Sequence, residues 1–173
     1  MSLFLTLTRE HELFSELIER LEHSLTFDDS AARQELTRTA LVLLPALGRH
    51  EEIEDLVFGS PRYRRREGAA KILAQLDAQH RKIETLRKEI LELLETEEGY
   101  DLEHLKDRIS ALCERLRVHF KAEEAHLWPH FERSMGGASE RTLDLRARRQ
   151  LDVLKNEIRQ TRAMASDYVG NAP

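Results

Sequence analysis

Histidine and glutamate recur in this chain at a spacing that can chelate. Residues 47 to 58 read LGRHEEIEDLVF and residues 116 to 127 read LRVHFKAEEAHL, so His50 precedes Glu54, and His119 precedes Glu123, by four residues. Side chains four apart on a helix are neighbours on one face, so each pair offers an imidazole nitrogen and a carboxylate to one point. Both pairs fall in rows that should face a core: Leu36, Ala40, Leu43, Leu47, His50, Glu54 and Val57, and Leu105, Ile109, Leu112, Leu116, His119 and Glu123. A carboxylate in an apolar interior costs several kcal/mol unless positive charge faces it. No Lys or Arg stands at the same level of these rows, so a metal cation is the simplest remedy.

Two more histidines join them. His11 lies in the row Leu7, His11, Phe14, Ile18, Leu21 and Leu25, and His80 in the row Leu73, Leu76, His80, Ile83, Leu86, Ile90 and Leu94. A shift of 69 residues carries His11 to His80, His50 to His119 and Glu54 to Glu123. The apolar rows obey the same shift, with Leu7 mapping to Leu76, Phe14 to Ile83, Leu21 to Ile90 and Leu43 to Leu112. Two copies of a helical hairpin read as an all-α, up-down-up-down four-helix bundle, with one His from the first helix of each hairpin and a His and Glu from the second meeting at one level.

A lone histidine in such a row is ordinarily a hydrogen-bonded core residue; four at one level with two glutamates point to metal. Four imidazoles and two carboxylates are too many for one tetrahedral zinc. Two ions bridged by the glutamates fit better, with iron first and manganese or zinc as contenders.

The elements that must position these groups are helices over about 4–25, from the candidate cap Ser30 to Val57, 69–95 and 102–134. TFDDS (26–30) and TEEGYD (96–101) are turns, and FGSPRYRRREG (58–68) is the central loop. Pro45 is a candidate kink in the second helix, and Pro129 predicts a kink or an end before Gly136 and Gly137. Residues 1–135 thus form the bundle, and 136–173 an additional C-terminal amphipathic helix and tail. Ser139 is its candidate cap, and Leu143, Ala147, Leu151, Leu154 and Ile158 share one face. That face either covers the bundle or forms a homodimer contact. The cluster Arg146, Arg148 and Arg149 reads as a solvated face.

One His on the first helix, HxxxE on the second, a His on the third and HFKAEEAHLWP on the fourth resemble the hemerythrin-like (HHE) cation-binding family over roughly residues 4 to 134. The resemblance implies a non-haem di-iron centre, bridged by two carboxylates and an oxo or hydroxo species. It further implies binding or sensing of dioxygen, iron or nitric oxide; the preferred functional class is a di-iron binding or sensing protein, including a role in iron handling or repair of damaged iron centres. The oxygen-carrying members have a second histidine on the third helix, four residues after the first, and this chain has Glu84 there. Glu84 is therefore a candidate seventh metal ligand beside His11, His50, Glu54, His80, His119 and Glu123; the alternative is a solvated glutamate paired with Lys88. Under the shift of 69 its mate is Ser15, which predicts unequal sites with the open position at the iron of His11 and His50. Glu51, Glu52 and Asp55 read as surface groups or groups behind the ligands. His126 and His130 read as channel or water-binding groups, and His23 and His104 as surface residues. Two other functional classes stand beside this one. A di-iron oxidase, peroxidase or ferroxidase is weakened because ferritin-like sites use ExxH. A metal-free interaction module has only the fifth helix in its support.

Composition bounds the rest. The chain has 173 residues, 34% of them charged, with only 7 Gly and 4 Pro, which suits one helical domain. A net charge of -5 with acids and bases interspersed leaves no basic field for nucleic acid. The single Cys113 rules out an internal disulfide and fits a reducing compartment. MSLFLTLTREHELF lacks a basic start, and its apolar run breaks at Arg9, so it reads as neither signal peptide nor membrane span. The expectation is a cytoplasmic protein.

Overall fold

Helix α1 (Leu3–Leu25) buries Leu3, Leu7, Phe14, Leu17, Ile18 and Leu21 along one side, the three-and-four spacing of a bundle seam. The computed structural model describes residues 3–27, 29–59, 64–65, 68–95, 101–132 and 138–169. Helix α2 (Ser30–Phe58) is capped by Asp29, whose carboxylate accepts from the Ala32 N–H at 2.8 Å. The expected cap Ser30 is instead the first helical residue, because the carboxylate one position earlier already satisfies the free amide. Pro45 lies inside α2, which runs on past it. The carbonyl that a residue-45 N–H would have served belongs to Leu41, on the exposed face, where water can replace the donor.

Gly68 sits at φ 76°, a left-handed turn that a side chain would strain, and opens helix α3 (Ala69–Leu94). Asp101 caps helix α4 (Leu102–Ala122) by accepting from the amides of Glu103 and His104. Most of the central loop, residues 96–100 of the TEEGYD turn, Gly136 and Gly137 and the side chain of Ser139 lie outside the described residues.

α4 gives way at Glu123–Leu127 to a single π turn, in which the Trp128 N–H donates to the Glu123 carbonyl, and the chain continues as helix α5 (Trp128–Glu132). The departure expected at Pro129 therefore begins before the proline. A proline ring clashes with the carbonyl four residues back, here that of Ala125, and the wider turn relieves the clash.

α1 packs on α2 and α4, and α3 packs on α4 and α2, so the four long helices form a bundle in chain order. The last helix, α6 (Ala138–Val169), lies across α1 and α2. It buries Ala147, Leu151, Leu154 and Ile158 there. Of the two readings of that apolar face, the structure shows it covering the bundle within the chain. Polar contacts fix its seat: Thr6 donates to Asp144 at 2.8 Å, Arg49 pairs with Glu157 at 2.8 Å and Arg146 with Glu52 at 2.7 Å, and Arg162 pairs with Glu16.

The apolar core is divided. One cluster gathers Phe14, Ile18, Leu43, Leu47, Ile109 and Leu116 with neighbours including Leu154 of α6. The other gathers Leu3, Leu7, Ile53, Leu73, Trp128 and Phe131 with theirs. Between them along every helix of the bundle lies a layer of buried polar groups: His11, His50, Glu54, His119 and Glu123, with half-buried His80.

Candidate metal centre

Six side chains converge in that layer. One ligand atom each from His11, His50, Glu54 and Glu123 lie within 4.8 Å of one another, and so do one each from Glu54, His80, His119 and Glu123. The two groups share both glutamates. Every imidazole presents Nε2: His11 to Glu123 at 3.4 Å, His50 to Glu54 at 3.3 Å, His80 to Glu54 at 3.3 Å and His119 to Glu123 at 3.2 Å. None of these contacts is aligned as a hydrogen bond for the glutamates, and both carboxylate oxygens of each are buried without a donor among the described residues. Nε2 of His80 is in the same condition. The Nε2 atoms of His11 and His50 stand 3.0 Å apart. Two ligands at right angles, each about 2.1 Å from an ion, would be separated by about 3 Å. Orphaned carboxylates, convergent Nε2 atoms and that spacing fit a bridged pair of metal ions.

The far nitrogens are held as well. Nδ1 of His50 meets Glu10 at 2.9 Å, Nδ1 of His11 meets Glu124 at 2.8 Å, and Nδ1 of His119 meets the Gln79 amide oxygen at 3.0 Å. Nδ1 of His80 has Asp55 at 3.9 Å, beyond hydrogen-bonding distance. These four partners obey the shift of 69: Glu10 maps to Gln79 and Asp55 to Glu124. The residue before each first-helix His holds the His of the following helix, and the residue after each second-helix Glu faces the His of the first. Glu10, Gln79 and Glu124 were not among the expected site residues, although extending the repeat by one position on either side of the ligands would have found them. The π turn matters here, because it sets Glu123 and Glu124, adjacent in sequence, on opposite nitrogens of the same His11 ring.

Charge in the layer is balanced internally. Burial opposes protonation of His50, yet the facing Glu54 and the Glu10 hydrogen bond outweigh it and hold the ring well above its usual pKa. Burial likewise opposes charge on His80, and Glu123 and Glu54 overcome it, raising the ring to about 10. Burial leaves His119 at about 3, with Glu54 opposing and His80 adding to the shift. Burial and the His50 charge press His11 well below its usual value. Glu54, despite burial, is kept ionised by His50 and His80. Burial and the Glu54 charge push Glu123 up to about 8. Protonated His50 and His80 thus supply the positive charge of the metal-free layer, a proton leaves Glu123 neutral, and His11 and His119 are neutral rings.

The structure does not bring Glu84 to either group. Its side chain is 47% exposed and pairs with Lys88 at 2.7 Å. The core row of α3 steps from His80 to Ile83, which is fully buried, and so leaves position 84 turned toward the groove between α2 and α3. Inequality between the sites therefore cannot come from Glu84 set against Ser15. That groove, about 610 Å³, reaches His80 past Glu51, Asp55, Asp77 and Glu84. A second pocket of about 390 Å³, between α3 and the π turn, reaches Glu123 past Gln75, Gln79 and His126. His130 packs edge-on against Phe131, and His23 edge-on against Phe27. Phe120 and Trp128 stack on His11 with ring centroids 4.1 and 4.8 Å away, walling the layer against water.

No described helix is long and apolar enough to cross a membrane. No curated protein and no solved structure matches the chain. Residues 71–170, more than half of the chain, match the family described as the Hemerythrin HHE cation binding domain. The matched span takes in His80, His119 and Glu123 and extends through the whole of α6; His11, His50 and Glu54 precede it and enter the site through the repeat and the geometry.

Proposed function

The chain belongs to the hemerythrin HHE cation-binding domain family, and from that membership we propose that it is a non-haem di-iron protein that binds or senses a small ligand such as dioxygen or nitric oxide, or iron itself. One observation carries this reading: two groups of four ligand atoms share Glu54 and Glu123 in a buried layer where those carboxylates have no hydrogen-bond donor among the described residues. His11 and His50 would hold one ion, His80 and His119 the other, and the two glutamates both. Imidazole together with carboxylate suits iron, with manganese and zinc as competitors. A bound iron pair supplies redox change and exchangeable coordination positions for small ligands. The chain's own part is to present Nε2 atoms, to fix the rings of His11, His50 and His119 from their far nitrogens, and to keep bulk water away with Phe120, Trp128 and the two apolar clusters. The two openings onto the layer, beside His80 and beside Glu123, would admit molecules of a few atoms.

The test is elemental analysis and an absorption spectrum of aerobically purified protein from iron-replete cells. Two irons per chain are expected. One zinc, or no metal, would sink the reading and favour a metal-free interaction module. Turnover of peroxide or ferrous iron by the loaded protein would move the assignment to an enzyme.

A further inference from the structure

The internal repeat is faithful at every proposed ligand and breaks at two of the groups behind them. His50 and His11 rest their far nitrogens on carboxylates, Glu10 at 2.9 Å and Glu124 at 2.8 Å. The mates of those carboxylates are an amide and a shorter acid. Gln79 offers His119 a neutral oxygen at 3.0 Å, and Asp55, one methylene shorter than Glu124 and with its side chain 75% exposed, stops 3.9 Å from His80. Resting on the metal-centre reading above, we propose that Glu10 and Glu124 are positioning residues that make the site of His11 and His50 the tighter of the two and the first to fill, while Gln79 and Asp55 leave the site of His80 and His119 weaker.

The physical basis is general. An imidazole whose distal N–H donates to a carboxylate is fixed in the tautomer that presents its other nitrogen, and that nitrogen becomes a stronger donor to the metal. A charge-assisted bond is roughly twice as strong as one to a neutral amide, and a partner at 3.9 Å makes no bond at all. Glu10 is nearly fully buried, so water does not compete for it. Glu54 and Glu123 belong to both groups and therefore do not distinguish them. Among the groups that contact the imidazoles through hydrogen bonds, the difference between the sites falls on the four at the far nitrogens.

Co(II) alone, added anaerobically to the metal-free full-length protein and followed by its visible absorption with a competing chelator, reads the two binding steps. Wild type is expected to bind two ions in two steps. Glu10→Gln and Glu124→Gln, both isosteric, are each expected to weaken the first step by about 10- to 100-fold, the usual effect of losing such a partner. Gln79→Glu, and more so Gln79→Glu combined with Asp55→Glu, are expected to strengthen the second step and draw the two together. Variants of one equal pair behave differently: the first ion moves to the untouched site, the first step stays where it was, and only the second weakens. That result, or no effect of the gain-of-carboxylate variants, overturns the ordering while leaving two-metal binding intact. No Co(II) bound by wild type overturns the metal centre and this inference with it. Melting curves of the metal-free variants separate the metal step from folding: an affinity loss larger than the lost stability assigns the effect to the metal step, and a first step weakened only in proportion to lost stability counts against the proposal.

Discussion

Glu54 and Glu123 bear the strongest consequence at the residue scale, because each is fully buried with both oxygens unpartnered among the described residues. Glu54→Ala and Glu123→Ala are each expected to abolish binding of both ions, and to remove the stabilisation that loading confers, since metal binding in such a site is folding free energy. Metal content per chain decides it, with Glu84→Ala as the contrast that keeps full loading; a glutamate variant that still holds two ions would exclude bridging. The protons of the layer give a second outcome, in the pH dependence of stability. His80, raised to about 10, contributes stability to the metal-free fold that is fully present below its unfolded value of about 6.5 and is lost as pH rises through about 10. His50 acts in the same direction. Glu123 is raised from 4.5 to about 8, so the fold keeps a proton that the unfolded chain releases, and that contribution too fades as pH rises through about 8. The metal-free protein should therefore melt lower at pH 9 than at pH 6.5. Loaded protein should not, because protons then compete with the ions and rising pH favours the bound form. Melts at both pH values, with chelator and with metal, test the difference; parallel slopes would mean that these protons do not occupy the metal's place. The convergence of these six side chains was legible in the sequence because a repeat and a helical row put them there. Glu84 was misplaced for a specific reason: a spacing of four from His80 is a valid row, but the row that α3 buries turns by three, to Ile83.

Among the elements, the π turn at Glu123–Leu127 does most to shape the site, since it supplies one of the two shared carboxylates and aims Glu124 at His11. At its end and beyond it, Leu127, Trp128 and Phe131 are buried, and Trp128 packs on both Phe4 and His11. Deleting Ala125, which is exposed inside the turn, would restore α-helical winding and rotate those three residues by about 100°, the angle of one helical residue. Loss of buried aromatic packing on the scale of a Phe or Trp truncation, about 3–5 kcal/mol, is the expected cost in urea unfolding, with loss of metal from the site. An unfolding midpoint within error of wild type would show that the turn is incidental. Pro129 was visible in the sequence as a breaker, whereas the form of the break was not. The apolar residues on either side suit an α-helix or a helix with one extra residue equally well, and only the demand that Glu123 and Trp128 both face inward chooses. The face of α6 was equally legible, but its partner was not. An amphipathic row states that something must cover it, and the polar pairs that choose α1 and α2, Thr6 with Asp144 and Arg49 with Glu157, join residues more than a hundred positions apart.

At the scale of the whole molecule, a polar layer separates two apolar clusters, and this makes stability uneven along the bundle. The cluster of Phe14, Leu43, Ile109 and Leu116 is anchored by both helical hairpins and by Leu154 and Ile158 of α6, whereas the cluster of Leu3, Ile53, Leu73 and Phe131 is smaller and closes the far end. Segments with less buried apolar surface open at lower free energy than the global unfolding. In the metal-free protein the side-chain contacts within the layer are protonated groups and imperfectly aligned pairs. Two ions bound by six side chains from all four long helices would tie the smaller end rigidly. Amide hydrogen exchange should therefore be faster in residues 53–58, 70–77 and 127–131 than in residues 40–47 and 109–116 when metal is absent, and loading should slow the first set more than the second. A ligand at 1,000 times its dissociation constant stabilises the state it binds by about 4 kcal/mol, so the protection gained by the smaller end should approach a thousandfold. Trp128, the one tryptophan of the chain, stacks on His11 and reports the same event by fluorescence, which iron loading should quench. Equal protection of both ends on loading would mean that the layer does not divide the fold and that the bundle opens as a single unit.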